Sequence, residues 1–204
     1  MTFAFVAPAH AAVDPNMVQA AKASLQDAVN HGSVDGILAA RGQFDALSVS
    51  EPSNPLLHYW VAVCDWRVAP FLMGEENKAK GKKYVDEGIE RATRAFTADK
   101  KFAEALALRC GLMGLSLQFD GSQAMKLGIQ MEGDMSQAHD IAPANPRIAL
   151  LDGINTLYKP AFVGGGANPA RNKLDKAAAL FAAEKAQEQT TSVVAVIAPH
   201  EADK

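Results

Sequence analysis

The feature that most constrains the fold is a repeat of helical segments at a spacing of about 45 residues. Pro55, Lys101 and Pro146 open successive units, and each unit holds two apolar segments with helical periodicity around a short joint. Small and apolar residues recur at matching places in residues 103–106 and 147–150. One such hairpin cannot bury its apolar face alone, whereas stacked neighbours bury a continuous core. The repeat therefore predicts an all-α, right-handed α-solenoid of stacked helical hairpins with about eight helices.

Capping and helix-breaking residues divide the chain further. Asp14 and Pro15 begin a first helix, Gly32 ends it, and Ser33 caps a second one. Whether residues 13–48 form a full hairpin or a cap on the stack is left open. The later helices are expected in pairs, at 56–69 with 77–98, 101–118 with 122–142, and 146–158 with 169–187.

The two ends of the chain differ from the helical middle. Residues 1–8 are apolar and uncharged, and Ala9-His10-Ala11 has small residues where a signal peptidase cleaves. We interpret residues 1–11 as a signal-peptide remnant cleaved after Ala11, which predicts a periplasmic or secreted protein; a floppy terminus is the alternative. A single helical domain is expected over 13–187. Residues 188–204 form a tail in which 191–198 is an edge strand, a docked segment or a disordered end.

Charge and hydropathy exclude some classes of partner. The 204 residues carry a formal net charge of -3 without a basic, aromatic-rich stripe, so nucleic acid is not expected to bind. No apolar stretch approaches the roughly 18 residues of a membrane span. The lysines at 78, 80, 82 and 83 are expected to form a solvated helix face rather than a polyanion site.

Several small residues and the closing proline resemble the pattern of tetratricopeptide repeats: Ala138, Pro143, Gly153, Ala177 and Phe181. The segment from Asn145-Pro146-Arg147 through Gly153, Pro160, Phe162 and Gly164–Gly166 is similar to a group of exported bacterial tetratricopeptide-like proteins, with an NPR…G…P-x-F-x-GGG pattern and no assigned activity. This resemblance implies a concave surface that binds a protein, peptide or ligand. The units are longer than the usual repeat of about 34 residues.

The Gly-rich loop is the first candidate site. Glycine N–H groups, a helix start and the charge of Lys159 could hold an anion or carboxylate. The pocket would comprise Asn155, Tyr158, Lys159, Gly164, Gly165 and Gly166. No G-x4-G-K-[ST] motif is present, which excludes a nucleotide P-loop. The favoured alternative is a tight connection in which Phe162 plugs the core.

The first helices of the hairpins supply a second candidate surface. Tyr59, Asp65, Arg67 and Arg109, together with Asn155, are residue types that favour partner binding and are predicted to line the concave face. The alternative places the aromatic residues around Trp60 and Trp66 in the core.

Redox, metal and catalytic patterns are weak. Cys64 and Cys110 occupy equivalent positions, and reduced, buried thiols are favoured over a disulfide. Met131, Met135 and His139 share a helix face that would suit Cu(I), but core packing is the preferred interpretation, and no metal or cofactor is predicted. No catalytic motif is found. The sequence thus predicts a non-catalytic scaffold for a protein or peptide in the bacterial cell envelope, its oligomeric state left open. The alternative is a periplasmic small-molecule-binding subunit with a pocket near the Gly-rich loop.

Overall fold

The computed structural model describes residues 13–197, with side chains through residue 187. This part of the chain contains eight α-helices and no strand, which confirms the predicted fold class. The helices are α1 (Pro15–Asn30), α2 (Val34–Ser50), α3 (Pro55–Val68), α4 (Lys78–Ala98), α5 (Ala103–Phe119), α6 (Ala124–Ile141), α7 (Pro146–Tyr158) and α8 (Ala167–Ile197). Short 3-10 turns join three of the pairs, at Ala69–Leu72, Gly121–Gln123 and Ala161–Val163. The proposed signal remnant and its cleavage site lie outside the described residues.

Local capping chemistry explains where the helices start. The side chains of Asp14, Ser33, Asn54 and Asn145 each accept a hydrogen bond from an amide in the first turn of the following helix. A proline follows three of them at the first helical position, where its missing N–H costs nothing. Asp14 and Ser33, which the sequence marked as caps, therefore act as caps in the fold, and Asn54 and Asn145 do so as well.

The first helices of the later hairpins lie side by side and run parallel. At one level, Glu104 of α5 accepts hydrogen bonds from the Tyr59 hydroxyl of α3, at 3.1 Å, and from the Asn145 amide before α7, at 2.9 Å. Two helical turns further on, Gly111 of α5 lies against Trp66 of α3 and Leu151 of α7. Because all three helices keep this register, their C-terminal ends lie at the same end of the stack.

That end carries the joint loops of the three later hairpins, at residues 69–77, 120–123 and 159–166, beside the joint of the first hairpin at residues 31–33, and we call it the loop end. Gly81 near the start of α4 confirms that the first two loops are neighbours. A Cβ at this position would lie 2.7 Å from the Leu72 carbonyl oxygen and 2.8 Å from the ring of Phe119. The arrangement is consistent with the predicted solenoid of stacked hairpins.

The core continues from the first hairpin into the others. Phe44 of α2 is fully buried, and its ring stacks on Trp60 of α3 with centroids 5.6 Å apart. Leu106, Leu112 and Ile148 are fully buried in the adjoining cluster around α5. Helices α1 and α2 therefore form a full hairpin packed on α3, which answers the question that the sequence left open.

Helix α8 differs from the sequence expectation. It continues to Ile197, so residues 191–197 are helical and not an edge strand. The β-branched residues there favour strands only weakly, and extending an existing helix adds one hydrogen bond per residue without new nucleation. None of the described helices combines the length and apolar character needed to cross a membrane.

Candidate functional site

Asp65 does not face a partner but lies in a buried ionic network between three helices. It is fully buried on α3 and pairs with Arg41 of α2, with Nε and Oδ1 2.5 Å apart. The same guanidinium contacts Glu87 of α4 at 2.7 Å. Burial raises the pKa of Asp65 to about 7, although the bonds to Arg41 act in the opposite direction. This contact fixes the first hairpin against α3 and α4.

Arg109 is held in the same way between α5 and α6. Its Nε and one terminal nitrogen donate to the two carboxylate oxygens of Asp134, at 2.8 and 2.7 Å. The two side chains are only 13% and 11% exposed. A second terminal nitrogen of Arg109 lies 3.3 Å from the Thr93 hydroxyl of α4. The Arg109 guanidinium thus bonds to the neighbouring helices α4 and α6. It does not face a partner surface, contrary to the sequence prediction.

Tyr59 and Arg67 complete the set predicted on the first helices. Tyr59 is buried in the core, where burial and the nearby Glu104 carboxylate raise the pKa of its hydroxyl. Arg67 is exposed and lies over the ring of Trp66, 4.6 Å from its centroid. Partial desolvation lowers the pKa of Arg67. Of the four candidates on α3 and α5, only Arg67 faces solvent.

The glycine amides of the Gly-rich loop are used inside the chain. Gly164 donates to Ala161 O at 3.0 Å, and Gly165 donates to Pro160 O at 3.1 Å. Gly166 donates to the Thr156 carbonyl at 2.9 Å. Because these donors already have partners, they do not form an anion cradle, and the tight-connection interpretation fits the loop better.

Two backbone requirements explain the glycines themselves. Gly164 and Gly166 have φ angles of 86° and 107°, which side chains rarely adopt. A Cβ at Gly165 would lie 1.9 Å from the carbonyl oxygen of Lys159. Lys159 itself reaches α6, where its Nζ lies 2.9 Å from Glu132 Oε2.

The exposed position of Phe162 contradicts one part of the tight-connection interpretation, namely that its side chain plugs the core. It was expected to plug the core, but its side chain is 90% exposed at the tip of the loop. Tyr158 is 73% exposed at the end of α7, and Val163 is 47% exposed. Two aromatic side chains, those of Tyr158 and Phe162, are therefore exposed to solvent at this loop.

Helix α6 faces this loop with an apolar stripe that sequence reasoning missed. Met125 and Ile129 are 83% and 73% exposed, and they share a helix face with Glu132 at i, i+4 and i+7. Since Glu132 pairs with Lys159, that face points toward the end of α7. We call the open surface that comprises the first half of α6 and residues 157–163 the α6–α7 cleft.

The floor of the cleft explains the place of Asn155. A Cβ at Gly114 of α5 would lie 3.3 Å from Asn155 Oδ1 and 3.6 Å from the Met131 methyl group. Gly114 thus lets a half-buried amide and a thioether come together below the exposed residues. Asn155, Tyr158 and Lys159 follow one another along the end of α7, and a ligand site at these residues stays a prediction.

Two surface depressions lie elsewhere in the described part of the chain. Two open depressions of about 460 and 510 Å³ lie beside His58 and Thr93, and around residues 50–55. His139 is 3.1 Å from a carboxylate oxygen of Asp152, and Met135 is buried in the core, so the methionine–histidine stripe does not converge. No group of three or more metal-binding His, Cys, Asp or Glu side chains occurs within residues 13–187, whose side chains the structure describes.

Both cysteines are free and buried, as the favoured interpretation stated. Burial raises the pKa of the Cys64 thiol to about 12 and raises that of Cys110 as well. The Cys110 thiol also lies 3.4 Å from the Met131 carbonyl oxygen, to which it donates. Neither thiol has the low pKa and exposure that reactive cysteines require.

No family model matches the chain, and no curated protein sequence matches it. Among solved structures, the fold is similar to that of HusA, a haemophore from Porphyromonas gingivalis, with a TM-score of 0.66. The two chains share 20% sequence identity, and the likeness covers 84% of each. The chain thus belongs to a class of all-α proteins whose fold is also found in a haemophore. The tetratricopeptide resemblance stays a prediction.

Proposed function

We propose that the chain is a non-catalytic binding protein of the bacterial cell envelope that holds a flat apolar ligand of the tetrapyrrole class in the α6–α7 cleft. The observation that carries this proposal is that large apolar side chains are exposed on two segments, the first half of α6 and the end of α7 with its loop, which the Lys159–Glu132 ion pair joins. They are Met125, Ile129, Tyr158 and Phe162, which are 73–90% exposed. Exposed apolar groups that cluster in this way mark binding surfaces more often than scattered ones do.

The chemistry of the cleft suits a planar molecule with acidic substituents. Tyr158 and Phe162 offer aromatic faces, and Met125 and Ile129 offer apolar surface from the opposite side. Lys159 is 38% exposed, so its ammonium group can exchange Glu132 for a ligand carboxylate. The fold shared with HusA, a haemophore, supports the ligand class by analogy only.

The test is a titration of the purified chain with iron(III) protoporphyrin IX and with metal-free protoporphyrin IX, following the porphyrin absorption band. Both are expected to bind, since ring contacts do not require iron. Ile129→Glu should weaken binding by about tenfold or more, because it replaces apolar contact with charge. Val49→Glu is the matched control, since Val49 is also 73% exposed but lies on α2.

Two results would reject the proposal. One is failure of both porphyrins to bind the folded wild type. The other is equal weakening by Ile129→Glu and Val49→Glu, which would place the ligand outside the cleft.

A second candidate function, a scaffold for a peptide or protein, rests on the same apolar stripe. Met125 and Ile129 are one helical turn apart and both exposed, the spacing at which apolar side chains contact an amphipathic partner helix. This candidate would be favoured if an amphipathic helical peptide binds the wild type, if neither porphyrin displaces the peptide, and if Ile129→Glu abolishes its binding.

A further inference from the structure

We propose that a face formed by helices α1 and α3 binds an elongated dicarboxylic acid, at a site separate from the α6–α7 cleft. The site comprises Lys22 of α1 together with Leu56, Trp60, Val63 and Arg67 of α3, and we call it the α1–α3 face. Its two basic side chains lie over tryptophan rings and lack acidic partners. The proposal goes beyond ligand binding in the cleft and does not depend on it.

Helical spacing and one contact between helices define this face. The four residues of α3 follow one another at i, i+4, i+7 and i+11, so they share one side of the helix. Leu56 and Arg67 are exposed, whereas Trp60 and Val63 are half-buried. Lys22 joins them from α1, because its Nζ lies 5.1 Å from the centroid of the Trp60 ring. Apolar surface therefore lies between a lysine and an arginine, with Trp60 and Arg67 about 10.5 Å apart along the helix axis.

The charges of the first helices show what this face lacks. Helices α1, α3, α5 and α7 contain four carboxylates and four lysine or arginine side chains. All four carboxylates bond to groups of this chain, in the contacts Asp27–His31, Asp65–Arg41, Glu104–Tyr59 and Asp152–Lys173. Two of the four cations pair with acids of the second helices, in the contacts Arg109–Asp134 and Arg147–Glu184. The other two, Lys22 and Arg67, have no carboxylate within ion-pair distance in the described part of the chain.

A third donor at this face also lacks an acceptor. The indole N–H of Trp60 is buried and has no hydrogen-bond partner among the described residues. Because Lys22 lies over the same ring, one ligand carboxylate can accept from both the ammonium group and the indole N–H. A buried donor without an acceptor is unfavourable, and a bound carboxylate would remove that cost.

Arg67 provides the second anchor. Five of the seven arginines in the chain pair with a carboxylate, and Arg67 is not among them. Its guanidinium lies 4.6 Å from the centroid of the Trp66 ring. Partial desolvation lowers the pKa of Arg67 although its side chain is exposed, which indicates a charge with protein on several sides. Such a guanidinium can bind a carboxylate through two parallel N–H···O bonds.

Two carboxylates joined by an apolar chain match these contacts. The distance of about 10.5 Å along α3 corresponds to a linear dicarboxylic acid of about nine or ten carbons. Its methylene groups would contact Val63 and the two indole rings. A monocarboxylate of the same length pairs with only one cation, and a much shorter dicarboxylate cannot reach both.

The experiment uses the intrinsic fluorescence of the full chain. The chain contains two tryptophans, Trp60 and Trp66, and both lie beside the cations of this face, so their fluorescence reports on the site. The probes are decanedioate, butanedioate and decanoate, and decanedioate is expected to bind about tenfold more tightly than either of the others. Lys22→Met and Arg67→Met should each weaken decanedioate binding about tenfold, since each removes one charge-assisted contact.

Two variants with cations elsewhere on the chain are the matched controls. Lys100 also lies over an aromatic ring, that of Phe96 at 4.5 Å, and Arg171 is exposed on α8. Lys100→Met and Arg171→Met should bind decanedioate like wild type. Ile129→Glu should also bind it, because Ile129 lies in the α6–α7 cleft, so failure of this proposal can be distinguished from failure of the porphyrin proposal.

Three outcomes would overturn the proposal: no binding of decanedioate, equal affinity for the three probes, or equal losses in the test and control variants. Binding of a glutamate-rich peptide without binding of decanedioate would assign the face to a protein partner and would also overturn it.

Discussion

The buried contact between Asp65 and Arg41 predicts a pH dependence of stability opposite to that of an exposed ion pair. Asp65 is fully buried, and this burial raises the pKa of its carboxyl group to about 7, against about 3.9 in an unfolded chain. Arg41, Glu87 and Arg91 face it from α2 and α4. The folded state then binds the proton more tightly. Asp65 therefore contributes most below pH 4, and the contribution is lost as the pH rises toward and past 7.

The size of the effect follows from linkage. At pH 5 the folded carboxyl is protonated while the unfolded one is ionised, whereas at pH 8 both are ionised. With about 1.4 kcal/mol per pKa unit, the contribution of Asp65 should fall by roughly 2–3 kcal/mol between these two pH values. Asp65→Asn removes the titration but keeps the shape of the side chain.

The assay is urea unfolding of wild type and Asp65→Asn at pH 5 and pH 8. The difference between the two proteins at each pH cancels the contributions of the other titrating groups. Wild type should lose roughly 2–3 kcal/mol relative to the variant on going to pH 8. Asp140→Asn, on the exposed side of α6, controls for loss of a surface carboxylate. A difference that is constant, or that grows in favour of wild type at pH 8, would mean that pairing with Arg41 outweighs desolvation.

Further perturbations test the loop, the second ion pair and the thiols. Gly165→Ala should cost at least about 2 kcal/mol in urea unfolding, because its Cβ would overlap a carbonyl oxygen. Gly133→Ala, with open space around it in α6, should stabilise by about 0.5–1 kcal/mol, and equal effects of the two would refute the steric argument. Arg109→Ala should cost about 3 kcal/mol or more by leaving a buried carboxylate unpaired; a loss below about 1 kcal/mol would show that water reaches it. Cys64 and Cys110 should react with a thiol reagent only after unfolding, and fast labelling of the native protein would contradict their burial.

Helix positions could be predicted from the sequence because their causes are local. Asp14 and Ser33 cap the helices that their positions indicated, and Asn54 and Asn145 cap helices whose starts Pro55 and Pro146 had marked. The spacing of apolar residues gave the hairpins, and the repeat gave their stacking. The end of α8 could not be predicted, since the β-branched residues after 190 suit a strand as well as a helix when no neighbour is known.

The candidate site was harder to predict because exposure depends on distant neighbours. Periodicity shows which helix face Asp65 and Arg109 occupy, but it does not show what covers that face. Arg41 covers Asp65 from 24 positions away in the sequence, and Asp134 covers Arg109 from 25 positions away. For Phe162, residue type alone favoured the core. A stronger indication lay in its position between a proline and three glycines, where the chain turns away from the core.

The buried polar contacts and the exposed apolar side chains are connected through the register of the stack. Ionic contacts at Asp65 and Arg109 join neighbouring helices, and Glu104 holds α3, α5 and the start of α7 at one level. Burying such groups contributes little net stability, but they are satisfied in only one alignment of the helices. We infer that this alignment keeps the three loops level and prevents their apolar side chains from folding back against one another. A surface held in this way loses little conformational entropy on binding, which is the physical advantage of presenting apolar groups from a rigid stack.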